Sequence, residues 1–587
     1  MTQPRPFILP VLLLTLDFAG CTPEGNGGTA SATEPDETST DATSTTASTV
    51  EPTGEPTDTS EPSTSTSGGD DTTTTTSTTS TSTTDPVDDT TSSSSTTGSD
   101  DSTTTAPDDT STSTSGGDDT TTTTGTTGPD DTTTTGTTGP DDDTTTTGGD
   151  PECGDGVAWA RHIPNHAKAR LFNKVVVDAD DNLFAVGNFW QTADFGGGPL
   201  EAGDPTAADG FLVKYGPQGE LLWARQFGGV DEQRLHGVAV DGSGDIVVAG
   251  KFRDTLVLGD AQLHSAGLDD GFVARLDPSG VPLWSHRFGG AGDDSGLKVA
   301  IDGAGDVVLT ASSAGPLDFG DGPLGQGGAA HVVRFDPDGA LLWHRAYDAQ
   351  LITARGVAVG PDDAVVVAGD FKGSSDFGAG PVNSQIEGNV FVLKLDPDGN
   401  LAWSVVSNGV GEFGSPSVTG VAIDGAGRIH LGGWFTGEIG FGGPLVFTEG
   451  QLDAWVATLS PSGAQVSISG HGSGPNTWQM IHDVAADAAG RTAVAGSFQG
   501  TIAFGDDILA LSPGDTKFDA FAARFDEGGV PIEARGFGAL GEQFGDAIAL
   551  GADGSAWLAG SFRNTFELGG ETLTVTEYDG YVARLCP

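Results

Sequence analysis

The chain has 587 residues, 83 acidic against 25 basic, with 91 Gly, three Cys and a formal net charge of −58. That balance excludes nucleic acid as a partner, because phosphate binding needs clustered Lys and Arg. Three cysteines exclude a disulfide-dense scaffold and a multi-cysteine zinc or iron–sulfur array.

Residues 1–21 hold Arg5, an apolar run from Ile8 to Leu16, and then Phe18-Ala19-Gly20-Cys21. The run is too short for a bilayer core of about 30 Å and reads as the apolar part of a signal peptide. Its end resembles a bacterial lipobox, with small residues before a Cys that becomes diacylated and N-terminal after cleavage. Phe18 stands where Leu is usual, and Asp17 puts a charge beside the site. The resemblance implies a lipoprotein anchored at Cys21, in the cell envelope and at the outer membrane, with surface exposure as a further expectation. An ordinary secretory signal is the alternative.

Residues 22–150 contain no Lys, Arg or aromatic residue; 71 of the 129 are Ser or Thr and 26 are Asp or Glu. Near-repeats such as Thr-Thr-Gly-Pro-Asp-Asp recur. So little apolar surface cannot offset ordering entropy, so a disordered, low-complexity, acidic stalk is expected. As a flexible coil it would span roughly 60–70 Å, and like-charge repulsion would extend it. Its Thr and Pro content also suits O-glycosylation.

The remaining segment, 151–587, carries 56 acids against 24 basic residues and reads as one domain. Leu222-Trp223-Ala224-Arg225-Gln226-Phe227-Gly228-Gly229 returns as Leu283-Trp284-Ser285-His286-Arg287-Phe288-Gly289-Gly290, and weaker copies start at Trp343 and Trp403. The period is about 60 residues. Each unit reads as four short strands with period-two alternation, separated by Gly, Pro and Asp. Asp-Pro-x-Gly turns recur at Asp277, Asp336 and Asp396, with Ser460-Pro461 in the same phase.

First strands are predicted at 175–178, 238–241, 299–302, 357–359, 421–424, 484–487 and 547–550. Their middle residues are Val176, Ala239, Ala300, Ala358, Ala422, Ala485 and Ala549, small as crowding against an axis requires. The fold class is therefore all-β: a seven-bladed β-propeller of four-stranded blades, preceded by the disordered Thr/Ser/Asp-rich linker.

The last unit stops at Asp579–Pro587, where a fourth strand is due, and an orphan fourth strand stands at Val157–His162. The N-terminal strand should complete the seventh blade. Cys153 and Cys586 fall in the same predicted turn, so a disulfide between them would staple the closure, nominally by roughly 5 kcal/mol. Two free thiols are the alternative reading.

With Asp-Phe-Gly-Gly-Gly-Pro-Leu (194–200), Asp-Gly-Phe-Val-Ala-Arg-Leu-Asp-Pro-Ser-Gly (270–280) and Trp-Ala-Arg-Gln-Phe-Gly-Gly (223–229), the unit resembles the bacterial SBBP-type β-propeller repeat. The resemblance covers 153–587, implies the fold and is nearly silent on function. The repeat drifts towards the C-terminus: Val466 and Ile532 replace the Leu before the Trp, and Ser467 and Glu533 replace the Trp.

Chemistry is harder to find. Asp241-Gly-Ser-Gly-Asp245 and its copies offer paired carboxylates, but Arg428 and Arg491 take the second acid's place in blades five and six, so turn formation outweighs calcium. No metal or other cofactor is expected. The acids Asp209, Asp270, Asp453, Asp519 and Asp579 recur before the third strand, with Asn389 and Ala330 elsewhere. A catalytic acid is needed once or twice, so a loop-tying role is expected.

His236 and His482 precede the first strand, with Asn173, Leu297, Arg355, Thr419 and Gly545 read at the same phase. They would line one mouth of the channel, as solvent-facing variation or as a ring recognising an asymmetric ligand. Candidate binding-face loops add the basic cluster Arg161, His162, His166, Lys168 and Arg170, and Trp478 with Asn476 and Gln479. The first functional expectation is a non-enzymatic, lipid-anchored binding or scaffold module, monomeric, for a surface protein or glycan. It would touch the membrane only through its anchor. The second is a propeller hydrolase or lyase acting on polysaccharide at the channel mouth.

Overall fold

The computed structural model describes residues 156–167, 170–385, 387–409 and 415–587, with backbone only for His166 and Ala167. All belong to one of two units into which the chain divides, the other being Pro23–Thr138. Cys21, Cys153, Lys168 and the 22–150 stalk lie outside the described residues.

Apolar residues fill the second and third strands of the units, Val and Ile in the earlier blades and increasingly Ala and aromatics in the later ones, and both faces of those strands are buried. In blade two, for example, Ile246–Leu258 pairs antiparallel with Gln233–Val240 on one side and Ala261–Leu276 on the other. Pro282–Phe288 then adds the fourth strand. Six such meanders follow one another along the chain, and each first strand touches the first strand of the next blade in a cycle that returns to its start. The seventh blade runs Gly541–Leu550, Ala556–Leu568, Glu571–Leu585 and finally Val157–Ala167 from the other end of the chain.

That closing strand pairs Val157 with Leu585, His162 with Tyr581 and Ile163 with Gly580. All seven predicted first strands are present, and the closing strand runs to Ala167, beyond the predicted His162.

Apolar packing lies between blades. Seven buried clusters form, one at each junction; the closing one joins Ile163, Trp557 and Val582 of blade seven to Leu183, Phe211 and Tyr215 of blade one. The small middle residues belong to this packing: Ala239 lies against the cluster of Val299 and Leu309, and Ala358 against that of Val421 and Leu431.

The Trp and Asp-Pro-x-Gly motifs are two halves of one inter-blade lock. Indole Nε1 of Trp159, Trp284, Trp343 and Trp403 donates to the carbonyl of Pro217, Pro337, Pro397 and Pro461 in the next blade's turn, at 3.0, 2.9, 2.8 and 3.0 Å. The turn glycine sits beneath the indole. A Cβ on Gly219, Gly339 or Gly399 would come within 2.8, 2.9 or 2.6 Å of the ring, and all three have positive φ. Where the Trp is lost, other donors cross the same junctions. Arg428 reaches the Glu527 carbonyl at 2.8 Å between blades five and six, and Arg524 reaches the Cys586 carbonyl between six and seven.

The lock predicts that Trp343→Ala, which removes a 7 % exposed indole and one cross-blade hydrogen bond, costs about 3 kcal/mol. Denaturant unfolding checks this; a loss below about 1 kcal/mol would mean the indole is not a lock.

Candidate functional site

Two recurrent acid sets are consumed by the scaffold. In the hairpin between first and second strands, Asp241 Oδ1 accepts from the Ser243 and Asp245 backbone N–H at 2.8 and 3.0 Å. Its Oδ2 and that of Asp245 then take Arg275 from the third strand, at 2.5 and 3.1 Å. Asp302 and Asp306 clamp Arg334 in the same way, and Asp362 takes Lys394 at 2.7 Å. In blade five, where the third strand offers Thr458, the cation is Arg428 of the turn itself, 2.6 Å from Asp424. Arg491 likewise pairs with Asp487 in blade six. The paired carboxylates thus answer a cation built into the fold. Among the described residues no group of three or more His, Cys, Asp or Glu stands close enough to hold a metal ion.

The second set ties the loop between second and third strands. Asp209 accepts from Gly203 N–H at 3.0 Å, Asp270 from Ala266 at 3.0 Å, Asp453 from Gly450 at 3.1 Å and Asp519 from Ser512 at 3.3 Å. The glycine after the fourth strand makes room for this carboxylate: a Cβ on Gly228, Gly472 or Gly538 would meet it at 2.4, 2.1 or 2.2 Å. In blade three the acid is Ala330 and the glycine is Asp348, whose Oδ1 accepts from Gln326 N–H at 2.6 Å. The carboxylate has changed strands and kept its task.

The predicted binding residues divide. Arg161 points to the opposite face, donating to the Gly219 carbonyl at 2.8 Å, as Arg345 does to Gly399. His162 instead serves the recurrent acid Asp579 at 2.7 Å. Arg170 turns to the channel, 3.3 Å from Asp546 and over the Phe544 ring. Arg161, His162 and Arg170 of the predicted basic cluster therefore do not share one surface, while the His166 side chain and Lys168 lie outside the described residues. Gln479 is buried and binds three oxygens of its own loop region, Ser473 Oγ, Gln499 O and Thr501 O, at 3.0–3.1 Å. Trp478 is half-buried and donates to Gln451 Oε1 at 3.0 Å, beside exposed Asn476.

The mouth of the channel holds the non-repeating residues. Each first strand carries a β-bulge, and the bulged residues are Asn173, His236, Leu297, Arg355, Thr419, His482 and Asp546. The predicted Gly545 is corrected to Asp546. Ile548, which is opposite Leu558, is the residue equivalent to Val484 opposite Val494, so the bulge lies one residue later.

A bulge leaves a carbonyl outside the ladder, and the preceding blade supplies its donor. Asn173 donates to Leu235 O at 2.6 Å, His236 to Gly296 O at 3.0 Å, Thr419 to Ile481 O at 2.8 Å and His482 to Gly545 O at 3.0 Å. Because a carbonyl only accepts, Nδ1 of both histidines carries the proton. Burial pushes His236 down to about 3 and His482 well below its ordinary value, so both rings are neutral. They are joints between blades, rather than tolerated solvent-facing variation.

One residue further along, facing the axis, stand Lys174, Lys298 and Asp483, with Gly or Ala in the other blades. Lys174 Nζ crosses from blade one to Asp483 of blade six at 2.6 and 2.9 Å. Lys298 Nζ donates to His236 O at 3.1 Å. Arg355 pairs with Asp370, whose other oxygen accepts Val418 N–H at 3.0 Å. Sequence reading passed over Lys174, Lys298 and Asp483. Their phase beside the bulge was available in the repeat, but pairing across non-adjacent blades was not.

No family model matches the chain. The regulatory protein FlaEY of Caulobacter vibrioides is 24% identical over 319 residues, 49% of this chain and 32% of that protein. An uncharacterised WD repeat-containing protein of Acanthamoeba polyphaga mimivirus is 26% identical over 117 residues, 19% of this chain and 8% of that one. The chain thus covers about a third or less of the curated relatives' length. Among solved structures, a chain of a mitotic checkpoint complex matches at TM-score 0.37 and 11% identity, over 78% of this chain and 97% of that one. YCF48 bound to a D1 peptide matches at TM-score 0.34 and 10% identity, over 73% and 94%.

A pH dependence follows from the loop-tying acids. Burial pushes Asp519 up to about 7, with the Asp515 charge adding to it. Between the unfolded value of about 3.9 and that value, the folded state holds a proton the unfolded chain has released. Stability contributed by this group therefore falls as pH rises through the window. Asn389 fills the same position in blade four, where its amide donates to Ser407 O at 2.6 Å. Asp519→Asn should therefore stabilise the protein at pH 7 by on the order of 2 kcal/mol and flatten the slope between pH 4 and 7. Thermal unfolding across that range measures both.

Proposed function

We propose that this chain is a lipid-anchored, cell-envelope binding or scaffold module of the SBBP-type repeat class. In this reading its propeller is carried on the acidic Thr-rich stalk and presents one face to a surface protein or glycan. The observation that carries the binding reading is the channel mouth. Seven bulge positions at one end of a rigid ring hold Asn, His, Leu, Arg, Thr, His and Asp, an uneven set where the other recurrent polar positions repeat one residue type and one task, and four of the seven also bond to the next blade. Its histidines are tied to carbonyls as neutral donors and hold no proton to exchange near neutral pH.

The hydrolase reading keeps one supporting observation. Asp546 is pushed up to about 6 by burial, against the opposing pull of Arg170, a value suited to a general acid.

The Cys153–Cys586 staple belongs to the same proposal. Cys586 N–H donates to Gly156 O at 3.0 Å, as Asp277 N–H does to Val281 O at 2.8 Å and Asp336 N–H to Ala340 O at 2.8 Å. The closing turn thus repeats the Asp-Pro turns with the chain cut inside it. The phases of Cys586 and Cys153 are those of neighbouring turn residues, which in this reading brings the two thiols together where the turn is completed from both chain segments.

Three measurements test the proposal. Detergent-phase partitioning should be abolished by Cys21→Ala; partitioning that survives would remove the lipid anchor. Thermal unfolding should drop on reduction, with Cys153→Ser reproducing the drop; insensitivity to reductant would remove the staple. A glycan and surface-protein screen run beside a glycoside-hydrolase panel should return binding without turnover. Turnover that disappears in Asp546→Asn would establish the enzymatic reading instead.

A further inference from the structure

Among the described residues, most cations around the channel mouth have a carboxylate, while Arg563 lies over the Tyr578 ring instead. Arg170 has Asp546, Lys174 has Asp483, Arg234 has Glu232, Lys251 and Arg253 share Asp269, and Arg355 has Asp370. Lys298, on an innermost strand, has no carboxylate ion pair among the described residues, its ammonium donating to the His236 carbonyl. The remaining two N–H donors of that ammonium have no partner among the described residues, on the inner wall of a ring whose neighbouring positions are Gly237 and Gly356.

The domain's negative charge does not cancel this local excess. Charges farther than about 8 Å across water are screened at physiological ionic strength, and the nearby carboxylates are already paired.

A second feature sits beside the first. His236 donates through Nδ1, so its Nε2 is a lone-pair acceptor, and that atom is buried without a partner. A buried acceptor left open is costly unless something with an O–H or N–H meets it. The backbone carbonyl that holds Lys298 belongs to this same His236, which places cation and acceptor on adjoining groups.

From this pairing we infer that the channel mouth is a binding site for a hydroxylated carboxylate of sugar-acid size, the carboxylate on Lys298 and a hydroxyl donating to His236 Nε2. Lys174 and Arg355, already paired, add to the favourable field. This inference rests on the binding-module reading and narrows its ligand to the acidic-glycan class.

The test uses the full chain at pH 6.5, with glucuronate as the probe and glucose and acetate as controls, followed by calorimetry and thermal shift. Glucuronate should bind and raise Tm, glucose should not bind, and acetate should bind more weakly. Lys298→Gln should weaken glucuronate by at least about tenfold, the worth of a charge-assisted hydrogen bond, while Lys298→Arg retains binding.

A wild-type readout guards against misfolding of the variant. Burial, with Lys174 and Arg355 opposing and Asp483 supporting the charge, lowers Lys298 to about 8, so affinity should fall as pH rises through 8. His236 is neutral throughout this range, and Lys251 stays paired with Asp269. Equal binding of glucose and glucuronate, no glucuronate binding at millimolar concentration, or unchanged affinity in a folded Lys298→Gln would overturn the site. Polymer binding that persists in Lys298→Gln would remove this site and leave the binding-module reading standing. Glucuronate binding without any polymer ligand would do the reverse.

Discussion

The antiparallel pairing of Val157–Ile163 with the last strand is the constraint on which everything else depends. Each blade is buried on both faces, and no blade has a core of its own. A ring left open would expose the Leu183, Phe211 and Tyr215 face of blade one and the Trp557 and Val582 face of blade seven together. At roughly 1.5–3 kcal/mol for each large side chain uncovered, such a state is out of reach of a fold whose net stability is of order 10 kcal/mol. Closure by strand exchange also joins termini hundreds of residues apart, so fraying at either end is opposed by the whole circumference.

Once the ring is closed, its repeat is best described by interactions rather than by residues. The indole-to-carbonyl lock of four junctions becomes an Arg428-to-carbonyl bond at a fifth. The loop-tying carboxylate of Asp209 or Asp270 moves to Asp348 on the neighbouring strand when Ala330 leaves its place. The turn carboxylates keep a cation whether it comes from the third strand, as Arg275, or from the turn, as Arg428. In each case a donor or charge is retained at a junction while the position that supplies it varies. Sequence drift in the later blades therefore leaves the blade geometry intact.

This explains what could be read from sequence and what could not. Strand order, blade count and ring closure were legible because each follows from a phase within one period, and seven copies average out local irregularity. The loop-tying role of the recurrent acids was legible for the same reason. Errors fell where phase fails. A bulge adds one residue to a strand, so counting from Ala547 gave Gly545 where the seventh mouth residue is Asp546. Successive residues of a strand point to opposite faces of the blade, so adjacent Arg161 and His162, read as one basic cluster, take different partners, the Gly219 carbonyl of blade one and Asp579 of blade seven. The Lys174–Asp483 pair was invisible because it joins blades one and six past the intervening blade seven, a relation with no signature in a repeat.

The axis is also where the repeat's own logic gives out. Between blades, every position has a neighbour one period away, so a polar group can be satisfied by a copy of the same motif. Facing the bore, a side chain meets solvent, a backbone group of the adjacent blade, or a residue two blades away, and no copy of its own motif is there to pair with it. Lys174 and Asp483 solve that problem jointly, and Gly237, Gly356 and Gly420 avoid it by offering no side chain. In blades four and five that choice is also imposed by space, since a Cβ on Gly356 or Gly420 would come within 2.6 or 2.7 Å of Val421 or Val484. Lys298 does neither: it brings a charge into the bore with no carboxylate in ion-pair contact, only the His236 carbonyl. An ammonium costs free energy to bury unpaired, and the small side chains in the other blades show that the fold does not require one at this phase. The same geometry that makes the ring self-sufficient at its junctions thus leaves its centre as the place where an outside group can complete the hydrogen bonding.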